Sequence, residues 1–312
     1  MKKLTVVLTG GLGNQLFQIQ FARYVKKQTN CEIFFDIALG KPRGADGIPD
    51  ALHYGIPGKI LDSKYSELAS RSVAYVMRSS FSPRKIEKYT FIKIITRFLA
   101  SVVVSIHFKR WLLVSAPKDL GHDPLFWPKQ KSVLTMGYFQ TFKYVELESN
   151  QREIFLETPE SRQIRYFKNL SNKEKPLVVH VRLGDYLLEE SFGVLGVEYY
   201  SRAVDEVTSF VDVGKIWLFS DEPKKALLLI PEKWHSQVRV IEEIDESPAN
   251  TLEIMRFGHA YVIANSSFSW WAAYSSYKAN VPIIAPQTWF KGMPSPNALI
   301  PKSWVRVESD FH

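Results

Sequence analysis

Leu177-Val178-Val179-His180-Val181-Arg182-Leu183-Gly184-Asp185 decides how the rest of the chain is read. The run from Leu177 to Val181 is short, apolar, rich in β-branched residues and preceded by Pro176, which is the pattern of a strand buried on both faces. Arg182 and Asp185 fall at or just past its carboxyl end, where open α/β sheets hold their ligands. A guanidinium there offers a planar fork of donors matched to a phosphate or pyrophosphate. The same Arg–Asp spacing also suits an ion pair that only holds a loop.

Working outward, further strands are predicted at Ile216–Ser220, Val238–Ile241, Tyr261–Ala264 and Val281–Ala285. Helices are predicted between them near Tyr199–Phe210, Pro223–Leu229, Ala249–Gly258 and Ser269–Tyr277. This alternation implies a parallel, doubly wound sheet. The chain opens with a strand (Leu4–Thr9), a Gly10-Gly11-Leu12-Gly13 turn, a helix (Asn14–Lys27) and a strand (Glu32–Asp36), so a second such domain is expected. The middle, Pro42 to Leu170, reads as helical pieces with a short strand near Val133–Gly137. A boundary in the polar stretch Thr158–Lys175 gives two expected domains, 1–165 with a basic helical insertion at about 71–115, and 172–312.

A length of 312 residues suits two domains, and 46% hydrophobic with 23% charged residues is ordinary for a water-soluble protein. Cys31 is the only cysteine, which excludes an internal disulfide and fits a reducing compartment. Met1-Lys2-Lys3 leads into an apolar stretch too short for a signal peptide, and no run of 18 apolar residues exists. A cytoplasmic protein is expected. Between Arg71 and Arg110, nine basic residues face one acidic residue, Glu87, so this segment carries the whole net charge of +8. Its basic residues alternate with Phe91, Ile94, Phe98 and other large apolar ones. That mixture suits peripheral contact with an anionic membrane, at the inner face of a plasma membrane, or a solvated basic face on an insertion. No groove-reading motif accompanies it, so nucleic acid is not expected as a partner.

Three other motifs carry chemistry. Gly10-Gly11-Leu12-Gly13-Asn14-Gln15 follows a strand and opens a helix, so its amides could face a polar ligand. It is a poor dinucleotide fingerprint, with Leu16 at the third glycine position and Asp36 a full 25 residues after Gly11. Ser220 and Asp221 close a strand, where they could cap the next helix or bond a ribose or base. Asn265-Ser266-Ser267-Phe268-Ser269-Trp270-Trp271 turns from a strand into a helix, gathering hydroxyls and free amides at a positive helix end suited to phosphate. The chain lacks a Gly-x-x-x-x-Gly-Lys-[Ser/Thr] loop, His-Glu-x-x-His, any Cys/His cluster and Asp-x-Asp. No metal and no cofactor are therefore expected. A diphosphate would be neutralised by Arg182 and the helix end.

Together these motifs resemble the α-1,2-fucosyltransferases of glycosyltransferase family 11. The resemblance rests on Gly10 to Gln18, His180 to Tyr186, Phe219-Ser220-Asp221, Asn265 to Ala272 and Leu299-Ile300-Pro301-Lys302-Ser303-Trp304, in the family's order. It implies a GT-B architecture, two Rossmann-like domains facing across a cleft, with GDP-fucose held mainly by the second. It also implies inverting, metal-independent transfer of fucose to the 2-hydroxyl of a terminal galactosyl residue on a glycan, with a lipid-linked acceptor among the candidates. Arg182 matches the family arginine assigned to the β-phosphate, and this chain has Leu183 where many members have a second arginine.

The candidate donor-binding residues are Gly11, Gly13, Asn14, Gln15, His180, Arg182, Ser220, Asp221, Asn265, Ser266, Ser267 and Phe268. Arg182 would stabilise charge in the transition state. Asp185 and Asp36 are the candidate bases, with Glu189 and Glu190 behind them. Two rivals stay open: a Rossmann-type NAD or FAD oxidoreductase using the Gly10–Gly13 turn, and a non-catalytic nucleotide-sugar-binding module.

Overall fold

The computed structural model describes residues 2–37, 51, 58–61, 95, 98–99, 102, 111–114, 132–146, 161–188, 190–242, 247–293, 295–296 and 298–311. The chain divides into two units, Met1–Asn150 with Pro296–Leu299, and Gln151–Ser295 with Ile300–His312. Each is a Rossmann-like α/β unit around a parallel sheet, as the resemblance implies. The predicted basic segment lies almost wholly outside the described residues, as does Glu189.

In the first unit β1 (Lys3–Val7) lies between β2 (Glu32–Asp36) and β5 (Ser132–Met136). The sheet is completed by β3 (Lys59–Leu61) and β4 (Trp111–Val114), giving the order β3-β2-β1-β5-β4, all parallel. Helix α1 (Leu12–Thr29) follows β1 and ends at Asn30, whose φ of 50° lets its N–H return to the Lys26 carbonyl. Lys26 and Lys27 stand in its last turn, where cations suit the helix dipole. A short helix, α2 (Lys143–Glu146), follows β5. The Thr141 hydroxyl and the Phe142 N–H both donate to the Ala298 carbonyl, which ties the late segment Pro296–Leu299 to this unit.

The polar stretch expected to hold the domain boundary contains a helix, α3 (Arg162–Glu174). Ser161 caps it by accepting from the Ile164 N–H, and Ile164, Phe167 and Ser171 form its buried stripe. With so few apolar residues it reads as polar. Its stripe is nonetheless correctly spaced for a helix.

The second unit orders its six strands β11-β10-β9-β6-β7-β8, all parallel. They are β6 (Leu177–Val181), β7 (Ile216–Ser220), β8 (Val238–Val240), β9 (Ala260–Val262), β10 (Ile283–Pro286) and β11 (Val305–Val307). The chain runs outward from β6 through β7 to β8, then returns to β6's other side with β9. The β6/β9 pair is therefore the switch point, where the loops at the carboxyl ends diverge and open a crevice. All five residues of β6 are buried, as a central parallel strand requires. Helix α4 (Val197–Phe210) covers one face, packing Tyr199, Ala203, Val204 and Val207 on Val179, Val181 and Leu218. Three further helices follow: α5 (Pro223–Leu227), α6 (Pro248–Met255) and α7 (Ser267–Tyr274). Among the described residues no helix is long and apolar enough to cross a membrane.

Two ion pairs fasten this unit in different ways. Arg256 and Glu253 on α6 are nearly completely buried and bonded at 2.7 Å. The Arg256 Nε donates to the Ser275 carbonyl, and Tyr277 contributes its hydroxyl and its ring face. Glu174 at the end of α3 instead takes Arg239 and the Trp217 indole N–H, with the arginine side chain 42% exposed. Arg256→Met should cost about 3–5 kcal/mol by stranding a buried carboxylate. Arg239→Met should cost no more than about 1 kcal/mol because its partner keeps water and Trp217. Denaturant melts of the two full-length variants check this ranking.

Candidate functional site

Arg182 leaves the carboxyl end of β6 and is gripped from two sides. Its Nε and Nη2 both donate to Asp185 Oδ1, at 3.1 and 2.7 Å, and its Nη1 lies 3.1 Å from Asp221 Oδ2. The loop continues as a 3₁₀ turn, Gly184–Leu188, and the Tyr186 ring lies 5.7 Å from the guanidinium carbon. Asp221 arrives from β7, where Val181 is in register with Ser220 so that Arg182 and Asp221 emerge side by side. Its second oxygen accepts the Leu183 N–H at 3.0 Å. A Cβ at Gly184 would stand 2.3 Å from Asp221 Oδ2, so this position needs glycine for close approach rather than for backbone freedom.

The other side of the switch point is the turn after β9. Asn265 is buried, and its amide nitrogen lies 3.1 Å from each of the Phe192, Gly193 and Trp289 carbonyls. Its nitrogen is thus committed to the protein and shapes the turn. The Asn265 carbonyl accepts the Tyr186 hydroxyl at 3.1 Å, a bond that joins the two loops flanking the crevice. Ser266 is the cap of α7, accepting from the Phe268 N–H at 3.3 Å, and Ser267 begins the helix. Trp270 and Trp271 are both fully buried, stacked or edge-on against Tyr274, so both are packing anchors.

His180 is enclosed at the end of β6, its ring 6.1 Å from Phe268. Burial, and after it the Arg182 charge, pushes it down to about 3, so it is neutral at ordinary pH and adds no cation beside the arginine. Ser220 does not cap α5 as a side-chain cap would. Its hydroxyl accepts from the Glu222 N–H at 3.0 Å, one residue before the helix. Below the loops, Tyr199 and Tyr200 of α4 donate to the Ile263 and His180 carbonyls and brace β9 and β6.

In the first unit the glycine turn also sits at a switch point, between β1 and β5. Gly10 takes φ +77°, and Gly11 is the exposed cap residue of α1, with open space where a Cβ would be. Gln15 donates to the Gly10 carbonyl and accepts from the Ala51 N–H, while Asn14 accepts from Gln140. Gln18 spans β1 and β5 by accepting from the Thr9 N–H and donating to the Gly137 carbonyl. Leu12 and Gly13 are buried in the helix start, and Asp36 is buried at the carboxyl end of β2. Sequence reading missed Tyr186, Tyr199, Tyr200 and Gly184. An aromatic beside the Arg182 motif was the available signal for the first. Among the described residues no group of three or more His, Cys, Asp or Glu is placed to hold a metal ion.

The glycosyl transferase family 11 profile matches residues 61–308. The chain belongs to this family and is a glycosyltransferase. An α-1,2-colitosyltransferase of Escherichia coli is 24% identical over 96% of this chain and 97% of its own length. A galactoside 2-α-L-fucosyltransferase of Caenorhabditis elegans is 23% identical over 88% of this chain and 69% of its length. The O-antigen biosynthesis glycosyltransferase WbnK of E. coli is 27% identical, with 46% of this chain aligned to about half of that relative, 48%. Among solved structures, the fucosyltransferase NodZ from Bradyrhizobium superposes at a TM-score of 0.46 with 11% identity, covering 87% of this chain and 92% of that one. Family membership sets aside the oxidoreductase reading of the glycine turn.

Asn265→Ala leaves three carbonyls without their shared donor, at a cost of about 1–3 kcal/mol. The loss should appear as faster amide hydrogen exchange at residues 190–196 and 287–291, while the β6 and β7 amides keep their protection.

Proposed function

We propose that this family 11 enzyme is an inverting, metal-independent α-1,2-fucosyltransferase. It would carry L-fucose from GDP-β-L-fucose to the 2-hydroxyl of a terminal galactosyl residue on a glycan. The observation that carries the reading is Arg182, its donor fork at the switch point of the second unit, opposite the positive start of α7. A leaving GDP gathers charge on its β-phosphate as the fucosyl ring gains oxocarbenium character, and a fixed guanidinium gains most from that charge at the transition state. The relatives named for α-1,2 and 2-α transfer support the linkage, and two of them align over most of this chain.

In the step itself the acceptor oxygen bonds to the fucosyl anomeric carbon as the bond to the phosphate breaks. GDP leaves with the electron pair, and a carboxylate takes the hydroxyl proton. Asp185 and Asp36 are the candidate bases, with Glu190 behind them; in the free chain Asp185 Oδ1 takes two hydrogen bonds from Arg182. The donor contacts assigned to the second unit are Arg182, the Asn265–Phe268 turn and Ser220, with Asp221 holding Arg182 in place. His180 packs beneath them as a neutral wall. Gly11, Gly13, Asn14 and Gln15 of the first unit remain expected donor contacts.

A screen of GDP-fucose, GDP-colitose, UDP- and CMP-sugars with a galactose-terminated acceptor tests the reading. GDP-fucose should be the best donor, the product should be α-1,2-linked, and EDTA should leave the rate unchanged. Arg182→Lys should lower kcat on the order of 10²-fold, since a point charge cannot reproduce the fork's bidentate contact. A UDP-sugar preference, metal-reversible inactivation or a fully active folded Arg182→Lys protein would overturn it.

The basic segment enters the same reading as a peripheral contact with anionic lipid, bringing a lipid-linked acceptor to the enzyme. Ile95, Phe98 and Leu99 in it are 41, 66 and 56% exposed, at a spacing that puts them on one helical face. Replacing Arg84, Lys85, Lys88 and Lys93 with Gln should lower binding to phosphatidylglycerol vesicles and flatten its salt dependence. Unchanged vesicle binding would return the segment to a solvated basic face.

A further inference from the structure

The two carboxylates on Arg182 are held very differently. Asp221 is fixed at the end of β7, its side chain 24% exposed. One oxygen is tied to the Leu183 N–H and the other to Arg182 Nη1, across a gap that only Gly184 leaves open. Asp185 is three residues from Arg182 on a 3₁₀ turn, its side chain 65% exposed. It touches the guanidinium through Oδ1 alone, and nothing else bonds it among the described residues. The edge it occupies, Nε with Nη2, is one of the two-donor edges a guanidinium uses to bind a phosphate in bidentate fashion.

We propose that Asp185 is a displaceable latch on Arg182, and that Asp221 is the positioning residue that keeps the guanidinium in place when the latch is released. This rests on the donor reading above and goes beyond it. The diphosphate takes over the Nε/Nη2 edge that Asp185 holds in the free enzyme, and the carboxylate swings into water, where it is already two-thirds exposed. Asp221 stays, since its bond to the Leu183 N–H does not depend on the ligand. An exposed ion pair three residues apart is weak enough for a diphosphate to displace. Asp221, in contrast, orients the fork, and the fork's direction decides how well charge on the leaving phosphate is met.

Calorimetric titration of the full chain with GDP, and separately with inorganic pyrophosphate, tests both halves. Asp185→Asn removes the competing charge and should tighten both ligands about 3- to 10-fold. Arg182→Gln should abolish pyrophosphate binding. Asp221→Asn keeps a neutral acceptor for the Leu183 N–H and so should fold. Its kcat at saturating donor should fall at least about tenfold with KM for donor changed less than threefold. Gly184→Ala, whose Cβ must push the Asp221 carboxylate aside, should reproduce that pattern with Asp221 intact. If folded Asp185→Asn binds GDP no more tightly while Arg182→Gln loses it, the latch is overturned and the donor reading stands. If Asp221→Asn and Gly184→Ala both keep wild-type kcat, the positioning role is overturned. If the wild-type chain binds neither GDP nor pyrophosphate, the donor reading falls and the latch falls with it.

Discussion

A parallel sheet covered on both faces leaves its chemistry only the ends of its strands. In the second unit every side chain of β6 is buried, so the first residues free to meet a ligand are those past Val181. Arg182 is the first of them. The strand order then determines which other loop lies beside it: β9, not the next strand in sequence, is β6's partner on the return side. The turn from Asn265 into α7 therefore stands beside the Arg182 loop although 79 residues separate Tyr186 from Asn265. The first unit repeats the rule, with the Gly10–Gly13 turn after β1 and the Gly137–Thr141 loop after β5 joined by Gln18 and Asn14.

Loops at such positions carry many backbone polar groups with no ladder to join, and buried polar side chains satisfy them. Asn265 serves three carbonyls from two separate loops with one nitrogen, which is why its burial and its identity go together. Tyr199 and Tyr200 reach past the apolar face of α4 to the Ile263 carbonyl just after β9 and the His180 carbonyl within β6. Burial holds both phenols in the protonated, donating form. These bonds make the floor beneath Arg182 stiff. The Asp185 turn above it is joined to the β9 loop through the Tyr186 hydroxyl and the Asn265 carbonyl.

The sequence made some of this legible and hid the rest for definite reasons. β6 and β7 have the predicted bounds because Leu177–Val181 and Ile216–Ser220 are apolar but for His180 and Ser220 and lie between turn residues, as suits central parallel strands. β11 was missed because it is a three-residue edge strand whose residues are exposed or half-buried, so no pattern marks it. α3 was read only as a polar boundary stretch because Ile164 and Phe167 are its only buried apolar residues. At the site, Arg182 was readable from its chemistry and place. Asp221 was read as a cap or a ribose contact because its partner is 38 residues away, in a pairing set by the register of β7 on β6. Gly184 drew no reading of its own for the same reason: the atom it makes room for belongs to the Asp221 loop after another strand.

Charge balance ties these points together. Free of donor, Arg182 carries one positive charge against the two carboxylates of Asp185 and Asp221, and His180 beside it is neutral. A diphosphate approaching that cluster meets a net negative charge. Leu183, next to Arg182, is buried in the hydrophobic core beneath the loop, so the adjacent position supplies no second cation. The start of α7 offers roughly half a positive charge, too little to offset two carboxylates and a diphosphate together. One carboxylate has to leave the guanidinium for the ligand to be bound on favourable terms. The exposed, singly tethered Asp185 can do so at small cost, while Asp221 cannot without also freeing the Leu183 N–H.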